Sequence, residues 1–166
     1  DRLRSYAESG SLCTIGINPT YPNTGYGYLE LSGNYNRDQV SELISFHEKP
    51  SIAKAKEFIS SGNFAWNSGI YLFSNQIFLS SIRKTHPSIF SSCTNVFSSK
   101  IDEKDFLSFQ EDKFLEIPSD SIDFAVMEKS SKFEIQMHMT YLNSNWSDMG
   151  SWSSVLEAFE KDKNGN

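Results

Sequence analysis

The sequence predicts an α/β protein in which helices cover a mixed sheet. Segments whose apolar residues alternate at every second position, as in strands, take turns with segments whose apolar residues recur every third or fourth position, as in helices. Two strand-like segments, 28–31 and 42–48, also follow each other across the polar stretch 33–36, which is typical of a hairpin. The hairpin adds antiparallel pairing to the alternation of strands and helices.

Composition limits the classes of protein to consider. The 166 residues, 38% of them hydrophobic, can bury one sizeable core without a second domain. A net charge of -6 disfavours binding to nucleic acid or anionic lipid. No apolar stretch approaches the roughly 18 residues that cross a bilayer, and no signal-peptide pattern is present. We therefore expect a soluble, cytoplasmic protein with neither a nucleic-acid nor a membrane partner.

The first elements follow from local patterns. Residues 1–10 resemble the end of a helix, with Leu3 and Ala7 on one face and Gly10 as its stop. A half-buried strand follows, and it is connected to a loop rich in proline and glycine that ends at Gly27. The inward positions of this strand are predicted to be Cys13, Ile15 and Ile17.

The second strand of the hairpin predicts a site. In an extended chain Ile44, Phe46 and Glu48 share one face, so the Glu48 carboxylate continues an inward apolar row where the strand leaves the core. We expect it to face a cleft. Pro50 and Ser51 can then open a helix that ends at Gly62. The predicted apolar stripe of that helix is Ile52, Ala55 and Ile59.

The remaining pattern predicts a strand over 66–73, helices over 75–85, 87–99 and 120–129, a strand over 133–139 and a last helix after Gly150. Asp120 and Ser151 are the predicted caps of the last two helices. The core face of helix 87–99 is predicted to be Ile89, Cys93, Val96 and Phe97, and that of the last helix Trp152, Val155, Leu156 and Phe159. Both cysteines are therefore expected to be buried, reduced thiols. Residues 1–159 are expected to form part of one domain, and 160–166 a linker or frayed terminus.

Four segments combine polar and aromatic side chains, and three of them, 19–28, 66–69 and 146–152, also contain glycine; the fourth is 46–50. A glycine lets the backbone approach a ligand closely, and isolated carboxylate, amide and ammonium groups at strand ends can bind the hydroxyls and the phosphate of a sugar. The sequence therefore predicts a sugar-phosphate pocket.

These segments, in order from about Gly10 to Trp152, resemble the mannose-1-phosphate guanylyltransferases, also called GDP-mannose pyrophosphorylases. The resemblance implies a Rossmann-like nucleotidyltransferase fold. It also implies that the complete enzyme transfers a guanylyl group from GTP to mannose 1-phosphate with Mg²⁺, releasing pyrophosphate and yielding GDP-mannose. The glycine-rich nucleotide loop of the family does not occur in these residues. We therefore expect the sugar-side part of the domain, truncated at its nucleotide-binding half, inactive alone, and with some strands lacking neighbours.

The resemblance also implies roles for individual residues. In Thr24-Gly25-Tyr26-Gly27-Tyr28, the Gly27 backbone lies against the sugar, with Gly25 and Tyr26 in support. In Glu48-Lys49-Pro50, Glu48 accepts hydrogen bonds from sugar hydroxyls and Lys49 holds the phosphate. Without the resemblance, a turn is the better explanation of the glycines, and a solvated ion pair is the usual explanation of the charged residues.

Asn67, in Trp66-Asn67-Ser68-Gly69, is implied to contact the sugar through both a donor and an acceptor. The alternative is an amide that satisfies loop backbone. Asp148 is implied to be a magnesium ligand, and the alternative is a carboxylate that favours the amino terminus of the next helix. Asp123 is predicted to be structural, because an acidic residue stabilises a first helical turn. Trp66 is predicted to serve in packing, and no role is assigned to the histidines.

Two other functions stay open at the level of sequence. The same pocket chemistry suits a glucose-1-phosphate uridylyl- or thymidylyltransferase, because no base-reading loop is present to decide the nucleotide. A noncatalytic module that binds sugar phosphates would also retain the pocket. The oligomeric state is open as well, a homo-oligomer included.

Overall fold

The computed structural model describes residues 1–33, 36–144 and 146–159. The strands are β1 (Leu12–Ile17), β2 (Tyr28–Leu31), β3 (Ser41–His47), β4 (Phe64–Leu72), β5 (Ile101–Asp102), β6 (Leu107–Ser108) and β7 (Met137–Leu142). The helices are α1 (Arg4–Glu8), α2 (Ile52–Ser61), α3 (Asn75–Thr85), α4 (Pro87–Ser98), α5 (Glu111–Leu115) and α6 (Trp152–Ala158). A π-helical turn covers Asp123–Met127 and a 3₁₀ turn Ser130–Phe133. The centre of the predicted hairpin turn, 34–35, and the predicted linker, 160–166, lie outside the described residues.

Five strands form one mixed sheet in the order β1, β4, β2, β3, β7. β1 and β7 run parallel, whereas the other pairs, including the predicted β2–β3 hairpin, are antiparallel. The order closes into a ring because β7 also pairs with β3, through two residue pairs, Ser41 with Met139 and Glu42 with His138. The mixed sheet is therefore confirmed. The expectation that some strands lack neighbours is wrong for this sheet, in which each strand has two.

β1 is buried on both faces, so the prediction of a half-buried strand is wrong. Leu12, Cys13 and Thr14 have no exposed surface. β1 lies between β4 and β7, and its two faces meet different apolar clusters. Leu12 belongs to the main core, whereas Cys13 packs with Leu3 and Ala7 around α1. The polar Thr14 is tolerated because its hydroxyl is hydrogen-bonded, as the site below shows.

A β-bulge changes the side-chain direction within β3. Glu30 pairs with Ser45 and Leu31 with Leu43, so Ile44 is the extra residue. Ile44 is 49% exposed, and its predicted inward position is wrong. Phe46 is buried, as predicted. The bulge thus sets the direction of the residues that lead to Glu48.

Helix α2 starts and stops where the sequence predicts. The Ser51 hydroxyl accepts a hydrogen bond from the Lys54 amide, and Gly62 ends the helix with a φ of 76°. Ala55 is buried, but Ile52 is exposed and Phe58 takes its place in the core. The buried face of α2 is therefore rotated by part of a turn from the predicted apolar stripe.

Helices α3 and α4 also have nearly the predicted bounds, with Pro87 at the first turn of α4. On α4, Ile89 and Val96 are buried, whereas Cys93 and Phe97 are exposed. The prediction that Cys93 is buried is wrong, because the face of α4 that enters the core is narrower than the apolar pattern.

The segment after α5 departs most from prediction. In place of the expected helix over 120–129 there is a π-helical turn over Asp123–Met127, followed by the 3₁₀ turn, and the Ser121 hydroxyl, rather than Asp120, accepts the Phe124 amide. The next strand begins at Met137, later than predicted, because Glu134 has a left-handed φ of 54°. Ser151 caps α6 as predicted, but Trp152, Leu156 and Phe159 are exposed, so the predicted core face of α6 is wrong at these three positions.

The described ranges include no helix that is long and apolar enough to cross a membrane.

Candidate functional site

Glu48 and Lys49 lie where β3 ends. Lys49 has a left-handed backbone, with a φ of 45°, which breaks the strand alternation that would point adjacent side chains to opposite faces. As a result, Lys49 Nζ lies 3.5 Å from Glu48 Oε1. The Glu48 side chain is only 10% exposed, whereas that of Lys49 is 59% exposed. The pair therefore presents a sheltered carboxylate and an accessible cation side by side.

Gly27 is in direct contact with Glu48. A β-carbon added at Gly27 would lie 2.7 Å from Glu48 Oε2 and 2.8 Å from Cζ of Phe46, so only glycine fits. The backbone carbonyl of Gly27 accepts a hydrogen bond of 2.8 Å from the backbone N–H of Asn67. The structure thus brings three of the predicted sugar-binding residues together. Gly25, by contrast, is exposed and its amide donates to Asn23 Oδ1 in a local turn.

The Asn67 side chain is buried in a polar network. Its Oδ1 accepts from the Thr14 hydroxyl at 2.9 Å, and its Nδ2 donates to the Tyr71 hydroxyl at 2.8 Å and to Asp123 Oδ1 at 3.3 Å. The Tyr71 hydroxyl in turn donates to Asp123 Oδ1. Asn67 and Tyr71 are four residues apart on β4, and Thr14 pairs with Tyr71 across the sheet, so the strands hold the network.

Asp123 and Glu128 connect the π-helical turn to this site, and sequence reasoning missed both connections. The Glu128 amide donates to the Asp123 carbonyl at 2.8 Å, and Glu128 Oε1 accepts from the Glu48 amide at 3.4 Å. Contacts therefore run from Glu48 through Gly27 and Asn67 to Asp123 and Glu128, and back to Glu48. We call these five residues the contact ring. The even spacing of Asn67 and Tyr71 along one strand was the one sequence signal that could have linked Tyr71 to the site.

The charges of this cluster affect its protonation. Burial raises the pKa of Glu48 above its ordinary value, and the nearby charge of Asp123 raises it further. Glu128 acts in the same direction, whereas Lys49 opposes it. Burial and the hydrogen bond to Asp123 also raise the pKa of Tyr71, so that its hydroxyl remains a donor.

Asp148 is exposed and lies in the segment before α6. Its Oδ1 accepts from the Gly150 amide at 3.1 Å and from the Tyr26 hydroxyl at 3.4 Å. Burial and the charge of Asp148 raise the pKa of Tyr26 to about 12. The cap of α6 is Ser151, so Asp148 does not serve as that cap. The Tyr26 contact joins Asp148 to the segment that carries Gly27.

Aromatic packing supports that connection. The Tyr26 ring meets Trp66 and Trp146 edge-on, with centroid distances of 5.1 and 5.3 Å. Tyr21 contacts the Trp66 ring at 5.1 Å. Trp66 is 4% exposed and packs in the core, consistent with the prediction of a packing role.

The fit of a magnesium ion depends on the oxygen donors near Asp148. Its exposed carboxylate is the hard donor that Mg²⁺ prefers, and this ion commonly takes one or two protein carboxylates and completes its shell with water and phosphate oxygens. Within the described ranges, no group of three or more acidic, histidine or cysteine side chains could hold a metal ion. Asp148 thus fits as a single ligand rather than as part of a preformed cage.

The sheet thus places a sheltered carboxylate beside an exposed cation, groups that can bind hydroxyl and phosphate oxygens respectively. The family model described as nucleotidyl transferase matches residues 1–165, so the chain belongs to the nucleotidyl transferase family. The Rossmann-like nucleotidyltransferase fold expected from the sequence is confirmed.

Curated relatives match nearly the whole of this chain. The chain is 39% identical to mannose-1-phosphate guanylyltransferase of Salmonella montevideo, over 98% of this chain and 35% of that protein. It is 39% identical to the xanthan biosynthesis protein XanB of Xanthomonas campestris pv. campestris (strain B100), over 96% of this chain and 33% of that one. The chain therefore spans about a third of the length of these relatives.

Two solved structures share the fold. One is described as mannose-1-phosphate geranyltransferase from Thermus thermophilus, with a TM-score of 0.76 and 28% identity over 95% of this chain and 43% of that chain. The other is described as mannose-6-phosphate isomerase from Helicobacter pylori, with a TM-score of 0.74 and 34% identity over 87% of this chain and 55% of that chain.

Proposed function

We propose that this chain forms the sugar-side part of a nucleotidyltransferase that makes GDP-mannose and pyrophosphate from GTP and mannose 1-phosphate. The observation that carries the proposal is the direct contact of Gly27 with Glu48 and Asn67, next to the exposed Lys49 cation. The mannose in the names of the relatives favours this sugar over the glucose 1-phosphate alternative and favours an enzyme over a noncatalytic module.

The sugar binds through groups that accept hydrogen bonds. Glu48 is sheltered from water, so a hydroxyl that replaces water at its carboxylate makes a strong, charge-assisted hydrogen bond. The missing side chain of Gly27 leaves room for the Glu48 carboxylate, so the sugar that Glu48 binds lies close to the Gly27 backbone, with Tyr26 and Gly25 in support of that segment. Lys49, exposed beside Glu48, binds the phosphate of the sugar as a compact cation.

The reaction requires two anions to meet. An oxygen of mannose 1-phosphate attacks the α-phosphorus of GTP, a new phosphorus–oxygen bond forms, and the bond to pyrophosphate breaks. The protein contributes position and charge compensation rather than a covalent intermediate. Lys49 offsets the charge of the attacking phosphate. Asp148 would hold Mg²⁺, which supplies further compensation of phosphate charge when bound.

We place the enzyme in the cytoplasm. Cys93 is exposed and neither cysteine forms a disulfide, which is typical of a reducing compartment. The nucleotide and sugar-phosphate substrates proposed here are also intracellular metabolites in their chemical class.

The first test uses the complete gene product, assayed for GDP-mannose from GTP and mannose 1-phosphate with Mg²⁺. Glu48→Ala and Lys49→Ala should each raise the KM for mannose 1-phosphate by about tenfold or more, because each removes a charge-assisted contact to that substrate. Asp148→Ala should lower kcat and weaken its dependence on Mg²⁺. Lys54→Ala, an exposed cation of α2 paired with Glu57, is the control and should behave like the wild type. Wild-type kinetics in all three site variants would refute the site.

A second measurement addresses the alternatives. The complete gene product should prefer GTP and mannose 1-phosphate over UTP or dTTP and glucose 1-phosphate, and the opposite preference would establish the glucose alternative. The 166-residue chain alone should show no turnover above its Lys49→Ala variant, because it carries no glycine-rich nucleotide loop. Clear GDP-mannose synthesis by that chain would contradict the proposal that it forms only the sugar-side part of the enzyme.

A further inference from the structure

The protein contacts both ends of the Asn67 side-chain amide. A side-chain amide has two N–H donors at one end and a carbonyl oxygen at the other. The Nδ2 end faces the Tyr71 hydroxyl and Asp123 Oδ1, which are hydrogen-bonded to each other, and the Oδ1 end faces the Thr14 hydroxyl.

Asp123 determines which way this amide points. If the amide turned over, its oxygen would face Asp123 Oδ1 at about the present 3.3 Å separation, and two acceptors would repel each other. Tyr71 gives no relief, because its only proton is donated to the same carboxylate oxygen. By accepting the Tyr71 proton, the Asp123 carboxylate leaves the Tyr71 hydroxyl as an acceptor for Asn67. It also keeps the Asn67 side chain oriented with Nδ2 toward Asp123.

We propose that Asp123 is a positioning residue of the sugar site: it holds the Asn67 side-chain amide in one orientation, with Nδ2 toward Asp123 and Oδ1 toward Thr14. This proposal rests on the proposed function and concerns the sugar half of the same site. The function of Asp123 then goes beyond stabilising the turn in which it lies.

The first test compares two substitutions of Asp123 in the complete gene product. In Asp123→Asn the side chain keeps an oxygen that can accept from Tyr71 and Asn67, so we expect kcat/KM for mannose 1-phosphate within about threefold of the wild type. Asp123→Ala removes the acceptor and frees the amide to turn, so we expect the KM for mannose 1-phosphate to rise by about tenfold, with kcat and the KM for GTP nearly unchanged. A structural defect alone would not select one substrate.

The second test exchanges the two partners. Asn67→Asp alone places two carboxylates against each other, and we expect the KM for mannose 1-phosphate to rise by about tenfold or more. The double variant Asn67→Asp with Asp123→Asn restores one amide and one carboxylate, and it should return the KM to within about fivefold of the wild type. Asp105→Asn, an exposed acid between β5 and β6, is the matched control for the loss of one negative charge.

Each outcome decides the matter. Equal damage from Asp123→Asn and Asp123→Ala would show that the carboxylate charge itself contacts the substrate and would overturn the positioning role. A double variant no better than Asn67→Asp, or an Asp123→Ala variant with wild-type KM, would overturn it as well. Wild-type protein that makes no GDP-mannose would instead refute the proposed function. In that case calorimetric titration with mannose 1-phosphate gives the same comparisons as binding affinities, and the absence of any binding by the wild type would remove the positioning role too.

Discussion

At the scale of single residues, the site depends on a place where no side chain fits. Gly27 is buried against the Glu48 carboxylate and the Phe46 ring, and its carbonyl is engaged by Asn67. Its φ is not in the left-handed region, so the need for glycine comes from space rather than from backbone conformation. The contact with Glu48 therefore couples the loop after β1 to the end of β3.

Gly27→Ala tests this coupling. The added methyl group would displace Glu48 and Phe46, and we expect a stability loss of about 1–3 kcal/mol together with a KM for mannose 1-phosphate raised about tenfold or more. Chemical denaturation and steady-state kinetics measure the two effects. Gly62→Ala is the control, because Gly62 has a φ of 76° but open space around its β-carbon position. It should cost about 1 kcal/mol through backbone strain and leave the KM unchanged. Equal KM values in both variants would contradict the coupling.

The resemblance of short local motifs to one family predicted Gly27, Glu48, Lys49 and Asn67 as one group, whereas the residue types alone favoured a turn and a solvated ion pair. Asp123 was predicted only as a residue of a helical turn. Its hydrogen bonds to Asn67 and Tyr71 join positions 56 and 52 residues apart, and nothing in the sequence near Asp123 indicates them. The roles of these residues in binding stay predictions.

At the scale of elements, α2 positions the proposed phosphate ligand. The helix begins shortly after the left-handed Lys49, and the Ser51 hydroxyl fixes its first turn. The bounds of α2, α3 and α4 follow closely from the sequence, because caps, proline and glycine act locally. The bulge in β3 and the double burial of β1 depend on neighbouring strands, so the alternation within each strand could not reveal them.

Ser51→Ala should destabilise the first turn of α2. Loss of an N-cap costs about 1 kcal/mol, so the amides of the first turn of α2 should exchange with solvent about fivefold faster. Hydrogen exchange followed by mass spectrometry or NMR measures the effect. Ser60→Ala provides the control within the same helix, because the Ser60 hydroxyl is exposed and donates to the Lys56 carbonyl, away from the first turn. If both variants exchange alike, Ser51 does not fix the first turn.

At the scale of the whole molecule, the position of Glu48 near Asp123 and Glu128 lowers the stability of the folded protein when Glu48 is ionised. The raised pKa of Glu48 means that the folded protein holds this proton more tightly than the unfolded chain. The resulting stabilisation is fully present below the ordinary value of 4.5 and is lost as pH rises through the raised value. Near neutral pH, the ionised Glu48 therefore makes the folded state less stable.

Glu48→Gln should remove the destabilisation that ionised Glu48 causes in the folded state. We expect a higher Tm than the wild type at about pH 7.5, and a difference that shrinks toward about pH 4 as the wild-type carboxyl takes up its proton. Calorimetry across this range gives the measurement. Glu57→Gln, on the exposed side of α2, should show no such dependence on pH. A variant less stable than the wild type at neutral pH would show that the Lys49 pair outweighs burial and repulsion.

The closed order of strands has a consequence for biosynthesis. β1 pairs residue 12 with residue 137, and β3 pairs residue 41 with residue 139, so both strands depend on β7, which is translated last among the strands described. While the ribosome is still making the intervening helices, β1 and β3 each present an open hydrogen-bonding edge to the surrounding nascent chains. Protection of those two edges by chaperones should therefore matter most in the interval before Leu142 emerges from the exit tunnel.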